Sequence, residues 1–227
     1  MELEVKLLPV QKALYKSEKQ IAGIYSARGV GKSYVLSFLI AGAVLKGERV
    51  LAFSQTYKSL SQNLFDEVLK RFEALKIQPT YNKGAMTIQY GNGICFGYTY
   101  ENVESCRGLT EINWLILDEL ALAPPGIFSI TAPCLRGNFV PKIRFCSTPR
   151  KGSVWDRWVR ENANSGKLEY FTAKMADNTF ISKESLDLSM NAITDEKLYR
   201  QEIYGEICDI CENERLPPGI PHPSSKL

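Results

Sequence analysis

The tightest constraint on this chain is the run at residues 24–33, Ile-Tyr-Ser-Ala-Arg-Gly-Val-Gly-Lys-Ser. A largely apolar stretch from Gln20 to Tyr25 leads into it, and another from Tyr34 to Leu45 leads out. Strand, glycine-containing loop, Gly-Lys-Ser, helix is the phosphate-binding P-loop pattern. The glycines let the backbone curl so that successive N–H groups point into one anion-sized concavity. The helix that follows adds the positive end of its dipole. Lys32 then reaches the β- and γ-phosphates, and Ser33 offers its hydroxyl to Mg²⁺. The phosphate-binding candidates are therefore Ser26, Ala27, Arg28, Gly29, Val30, Gly31, Lys32 and Ser33. In the pattern G-x-x-x-x-G-K-[ST], Ser26 stands where the first glycine is usual.

A loop of this kind needs a second strand to complete its chemistry, and Leu115-Ile116-Leu117-Asp118-Glu119 has the right form. Asp118, at the end of an apolar strand, would hold the Mg²⁺ shell beside Ser33, and Glu119 would polarise the water that attacks the γ-phosphate. A third strand, Lys142 to Cys146, ends in Ser147-Thr148-Pro149. If it lies beside both acids, its hydroxyls, Thr148 above all, can report whether the γ-phosphate is present. Two arginines compete as the activating charge. Arg28 sits inside the loop, and Arg107 precedes the acid strand by a short segment, from which it can serve its own subunit or a neighbour.

The rest of the chain alternates strands with helices, which predicts a mostly parallel, doubly wound α/β sheet. Residues 49–54 read as a buried strand, and 57–75 as one amphipathic helix with Leu60, Leu64, Val68, Phe72 and Leu75 on one face. Met86–Tyr90, Gly91-Asn92-Gly93 and Ile94–Tyr98 give a β-hairpin, an antiparallel addition to the sheet. Residues 154–162 read as a helix and 168–172 as a strand. From Asp177 the texture changes to short polar helices, near 183–191 and 195–204, the second closed by Gly205. The expected divisions are residues 1–176, a small helical linker or lid at 177–209, and an irregular proline-rich tail at 210–227.

Composition adds little that is decisive. A net charge of +3 neither demands nor excludes nucleic acid. Arg136, Lys142, Arg144, Arg150, Lys151, Arg157 and Arg160 do fall in one stretch, either as a solvated face or as a DNA-facing one. Cys95 and Cys146 lie in strand-like runs, where a reduced thiol packs as a small apolar group. Cys208, Cys211 and His222 lack a fourth zinc ligand at a usual spacing. With no signal peptide and no apolar run of bilayer length, the expectation is a soluble protein of a reducing compartment.

In order and texture these segments resemble the ATPase half of the large terminase subunit of tailed bacteriophages. The matching pieces are Gln11, the loop from Arg28 to Ser33, Ser54-Gln55-Thr56, Arg107-Gly108-Leu109-Thr110, Asp118-Glu119, Ser147-Thr148-Pro149, Asp177-Asn178 and residues 201–206. Together they span about residues 8–209. The resemblance implies a P-loop NTPase of the additional-strand, catalytic-glutamate type. Its implied activity is ATP hydrolysis with Mg²⁺, coupled to movement of double-stranded viral DNA through a portal into a prohead. It implies Gln11 at the adenine, Ser147-Thr148-Pro149 as a coupling segment, and Arg107 as a subunit-bridging arginine. The implied partners are viral DNA, the portal protein and the small terminase subunit. A homo-oligomeric ring is implied for the active state and a monomer for the isolated chain, located in the host cytoplasm and transiently at the prohead, with no membrane. The family's nuclease half has no counterpart here, so the expectation is a truncated form, a split gene product or a motor without its cutter. Two other readings remain open: a helicase-like, nucleic-acid-stimulated ATPase, and a non-catalytic nucleotide-binding assembly module. Glu119 weighs against the latter, since a pure binding module has no use for a water-orienting carboxylate.

Overall fold

In the computed structural model, residues 5–207 apart from Lys151 are described, and they build on one eight-stranded sheet. Cys208, Cys211, His222 and the proline-rich tail lie outside the described residues. In chain order the strands are β1 (Ile21–Tyr25), β2 (Arg49–Ser54), β3 (Thr80–Asn82), β4 (Thr87–Tyr90), β5 (Gly93–Thr99), β6 (Trp114–Asp118), β7 (Lys142–Ser147) and β8 (Glu169–Phe171). Across the sheet the order is β3-β4-β5-β2-β6-β7-β1-β8. The six strands from β5 to β8 are parallel, and β3 and β4 are antiparallel additions at one edge.

Parallel strands buried on both faces read as continuous apolar runs, and their side chains divide by alternation. Ala22, Ile24, Val50, Ala52 and Ile116 face one core. Tyr25, Leu51, Phe53, Leu115, Leu117 and Phe145 face the other. Helix α1 (Pro9–Lys16) and helix α2 (Lys32–Leu45) cover the first face, with α3 (Asp66–Ala74) packed on α2. Helix α4 (Ile127–Thr131) and helix α5 (Val154–Asn164) lie on the second. Helix α2 is apolar nearly all round, the signature of a helix buried on most sides. Helix α6 (Lys183–Asn191) presents no fully buried residue, whereas α7 (Glu196–Tyr204) adds Tyr199 and Ile203 to the α2 core.

Four features depart from the sequence reading. The helix expected over 57–75 divides into a π-helical segment, Ser59–Phe65, followed by α3. Its wider turn brings Leu60 and Phe65, five residues apart, onto Gly97 together: a methyl group there would lie 2.7 Å from the Phe65 ring and 3.0 Å from Leu60. The hairpin forms, with Tyr90 opposite Gly93, but its return strand β5 runs parallel to β2 and so belongs to the parallel set. A third strand at this edge, β3, was not expected. The basic stretch is also no single face: Arg144 is fully buried, its guanidinium donating to the carbonyls of Ser17, Lys19, Gln20 and Ile143.

Candidate active site

Strand order decides where the chemistry meets. β7 lies between β1, which feeds the loop, and β6, which carries the acids, so the three segments end side by side at the carboxyl ends of these central strands. Ligands in open α/β sheets bind at the carboxyl ends of strands, where the topology reverses. A cleft of about 520 Å³ opens there, lined by Ser33, Asp118, Glu119, Thr148, Arg28 and Arg150 among others.

The loop is held by its carbonyl oxygens. Gln11 Nε2 donates to the carbonyls of Val30 (2.9 Å) and Gly31 (3.1 Å). Asn178 Nδ2 donates to that of Gly29, and Lys32 Nζ to that of Ala27 at 2.8 Å. Gly29 and Gly31 take φ of +73° and +67°, which the curl requires and which side chains resist. The N–H groups of Ser26, Ala27 and Arg28 go to the carbonyls of Ser147, Ala173 and Glu202 at 2.8–3.1 Å. The N–H groups from Gly29 to Ser33 have no acceptor among the described residues. With the carbonyls tied outward, these donors form an anion nest at the start of α2.

Lys32 is buried, and its ammonium also donates to Thr148 Oγ1 at 2.9 Å. Burial pushes its pKa down, while the charges of Glu119, Asp118 and Glu202 partly hold it up. Across the cleft, Ser33 Oγ lies 3.2 Å from both carboxylate oxygens of Asp118. Burial and the neighbouring Glu119 push the Asp118 carboxyl up to about 7, against the pull of the Ser33 hydroxyl and Lys32. A hydroxyl beside a carboxylate short of counter-charge is a donor set suited to Mg²⁺, which takes one or two protein oxygens and keeps phosphates and waters for the rest.

Glu119 sits directly after β6 with φ 58° and ψ 57°, the left-handed region, rare for a side-chain-bearing residue. The turn aims its carboxylate at β7, where Oε2 lies 3.4 Å from both the Ser147 hydroxyl and the Thr148 N–H. Ser147 Oγ in turn accepts from the Ala121 N–H at 2.9 Å. Thr148 thus touches the lysine with its hydroxyl and the glutamate with its backbone.

The remaining candidates divide. Gln11 is buried, with both amide hydrogens on the loop and Oε1 accepting from the Leu8 N–H. Beside it is a second cavity of about 370 Å³, lined by Lys6, Leu8, Gln11, Gly31, Tyr34, Asn178 and Phe180. Arg28 is ion-paired with Glu202 at 2.7 Å on the cleft wall. Arg107 lies elsewhere, exposed and paired with Glu104, and does not line the cleft. The sequence reading places Arg150 only within the basic stretch, although its adjacency to Ser147-Thr148-Pro149 is an available signal. Glu202 and Asn178 enter that reading only through the resemblance.

The nest, the paired hydroxyl and carboxylate, the adjacent glutamate and the strand β7 set between the loop strand and the acid strand define a P-loop NTPase. The family model described as terminase large subunit, T4likevirus-type, N-terminal, matches residues 24–155, and the chain belongs to that family. Comparison with curated proteins returns no significant match. Among solved structures, the large terminase of a thermophilic bacteriophage aligns with TM-score 0.75 at 15% identity, over 89% of this chain and 54% of that one. The Thermus phage P74-26 large terminase ATPase domain aligns with TM-score 0.73 at 18% identity, over 89% and 94%. The bacteriophage HK97 large terminase gives TM-score 0.71 at 16% identity, over 91% and 52%. The first of these proteins has been solved with ADP and with ATP-γ-S. The chain spans about half the length of that protein and of the HK97 terminase. No helix among the described residues is long and apolar enough to cross a membrane.

Proposed function

We propose that the chain binds and hydrolyses ATP as the motor part of a viral DNA-packaging terminase. The observation that carries the reading is the meeting of Ser33, Asp118 and Glu119 in one cleft with the loop donors and Lys32. The N–H groups from Gly29 to Ser33 would cradle the β-phosphate, and Lys32 would turn from Thr148 and the loop carbonyls to the γ-phosphate. Ser33 and Asp118 would hold Mg²⁺, which supplies charge neutralisation at the phosphates. Glu119 would orient a water in line with the bond to be broken; water adds to the γ-phosphorus, ADP departs and inorganic phosphate is formed. Thr148 would lose its contact with Lys32 when the γ-phosphate is bound and regain it on release. That exchange makes the Ser147-Thr148-Pro149 turn a coupling element. The base would enter the second cavity, between Tyr34 and Phe180. There Gln11 has one lone pair of Oε1 left to accept from an adenine amino group, its donors being committed to the loop. The segment 177–209, of which residues up to Ile207 are described, would form a lid over this nucleotide.

Duplex DNA, portal protein, small terminase subunit, a ring of subunits and the host cytoplasm belong to this proposal as the context of a packaging motor. The test measures ATP turnover with and without duplex DNA. Lys32→Ala should lose nucleotide binding and turnover. Glu119→Gln should retain binding and lose hydrolysis by about 10²-fold or more, since it removes only the water-orienting carboxylate. Near-normal hydrolysis by either variant would end the reading.

A further inference from the structure

Three arginines are available to a γ-phosphate in principle, and the structure treats them differently. Arg28 is engaged by Glu202, and Arg107 by Glu104 outside the cleft. Arg150 lines the cleft together with Ser33, Asp118 and Glu119, is exposed, and its guanidinium has no ion pair or hydrogen bond among the described residues. Its backbone, by contrast, is fixed. The Arg150 N–H points to Asp156 Oδ1 at 3.4 Å, its carbonyl accepts from the Ser153 N–H at 2.9 Å, and Asp156 is buried and hydrogen-bonded to the Tyr25 hydroxyl. A free guanidinium on an anchored backbone, two residues beyond Thr148, is positioned by the same turn that touches Lys32 and Glu119.

Charge leads to the same place. Once Arg28 and Glu202 are paired, the cleft lining carries Asp118 and Glu119, faced by the buried Lys32 beside them. A bound Mg·ATP brings further negative charge, which grows at the γ-phosphoryl oxygens as the bond breaks. An arginine fork matches those oxygens better than any other side chain. We propose that Arg150 is a catalytic residue acting within its own subunit, its guanidinium closing onto the γ-phosphate of the bound nucleotide and stabilising the charge that develops during hydrolysis. This rests on the hydrolysis reading above and adds the residue that distinguishes triphosphate from diphosphate.

The experiment compares wild type, Arg150→Ala and Arg150→Lys for Mg·ADP binding, Mg·ATP-γ-S binding, ATP turnover and thermal unfolding. Because the contact is to the γ-phosphate alone, Arg150→Ala should bind ADP as wild type does and unfold at the same temperature. It should bind ATP-γ-S about tenfold more weakly and turn over about 10²-fold or more slowly, as loss of one charge-stabilising donor does. Arg150→Lys should recover part of the ATP-γ-S affinity and little turnover, since an ammonium lacks the planar fork. Equal losses for ADP and ATP-γ-S, or a lowered unfolding temperature, would reduce Arg150 to a residue that shapes the turn. Unchanged turnover would overturn the proposal while leaving hydrolysis intact. Turnover of Arg150→Ala restored by mixing with Lys32→Ala subunits would move the arginine to a neighbour's cleft and overturn the assignment. A wild-type chain that binds no nucleotide would bring down the hydrolysis reading itself.

Discussion

Two adjacent acids carry opposite kinds of unease. Glu119 bears a backbone conformation that costs about 1–2 kcal/mol outside glycine, a strain that persists where geometry serves function. Asp118 bears an electrostatic cost, being buried, beside another carboxylate and raised to about 7. A carboxyl raised on folding binds its proton more tightly in the native state than in the unfolded chain. Its contribution is therefore absent below about pH 4 and becomes an increasing penalty as pH rises towards 7, constant above it. Asp118→Asn should accordingly stabilise the nucleotide-free protein at pH 8 by a few kcal/mol and leave it little changed at pH 4. Thermal unfolding at the two pH values, without nucleotide, is the measurement; equal effects at both would show that the aspartate is not held against its charge. The same variant should lose Mg-dependent nucleotide binding.

Among the elements, legibility followed contiguity. The P-loop, the Asp118-Glu119 strand end and Ser147-Thr148-Pro149 were readable because each is a short run whose spacing is its chemistry. The mostly parallel, doubly wound sheet followed from alternation of type, and the placing of β7 between β1 and β6 fulfils the expectation that Ser147-Thr148-Pro149 ends beside both acids. What stayed hidden depends on distant partners. Nothing within 57–75 announces that Leu60 and Phe65 must both meet Gly97, so the π-helical segment was invisible. The burial of Arg144 under the carbonyls of residues 17–20 was invisible for the same reason. Helix α7 supplies the sharpest test at this scale. Gly205 ends it with φ +69°, and a methyl group there would lie 2.3 Å from the Ala27 backbone nitrogen. Gly166 has a similar φ of +72° with nothing within 4 Å. Gly166→Ala should cost only the left-handed strain, about 1–2 kcal/mol. Gly205→Ala should cost more and also weaken nucleotide binding, because the loop backbone must shift. Unfolding midpoints and ADP affinities of the pair decide it; equal costs would mean that α7 does not brace the loop.

For the molecule as a whole, the exposed Arg107, which lies outside its own cleft, has a testable place in the proposed ring. It closes the 3₁₀ segment Tyr100–Cys106, which is pinned by the Tyr100 hydroxyl on the Asp118 carbonyl at 2.8 Å and by the Cys134 thiol on the Cys106 carbonyl. In the ring proposed above, an arginine presented on such a segment would serve a neighbouring subunit's nucleotide. Arg107→Ala should then lose ATPase and regain part of it when mixed with Lys32→Ala, since an intact loop from one meets an intact arginine from the other. Arginine fingers are worth about 10³–10⁵ in rate, so partial rescue stands well above background. Turnover that is independent of protein concentration and unchanged by Arg107→Ala would leave the trans role empty.

The three N–H donors of Ser26, Ala27 and Arg28 also set a schedule for the newborn chain. Their acceptors are the carbonyls of Ser147, Ala173 and Glu202, so the loop near the start is completed by residues made long after it. On a ribosome that emits the chain from its N-terminus, the sheet around β1 must wait for β7, the strap at Ala173 for β8, and the last tie for α7. The pocket is thus completed only once α7 has been made, and a polypeptide halted before it carries the signature sequence without the means to use it.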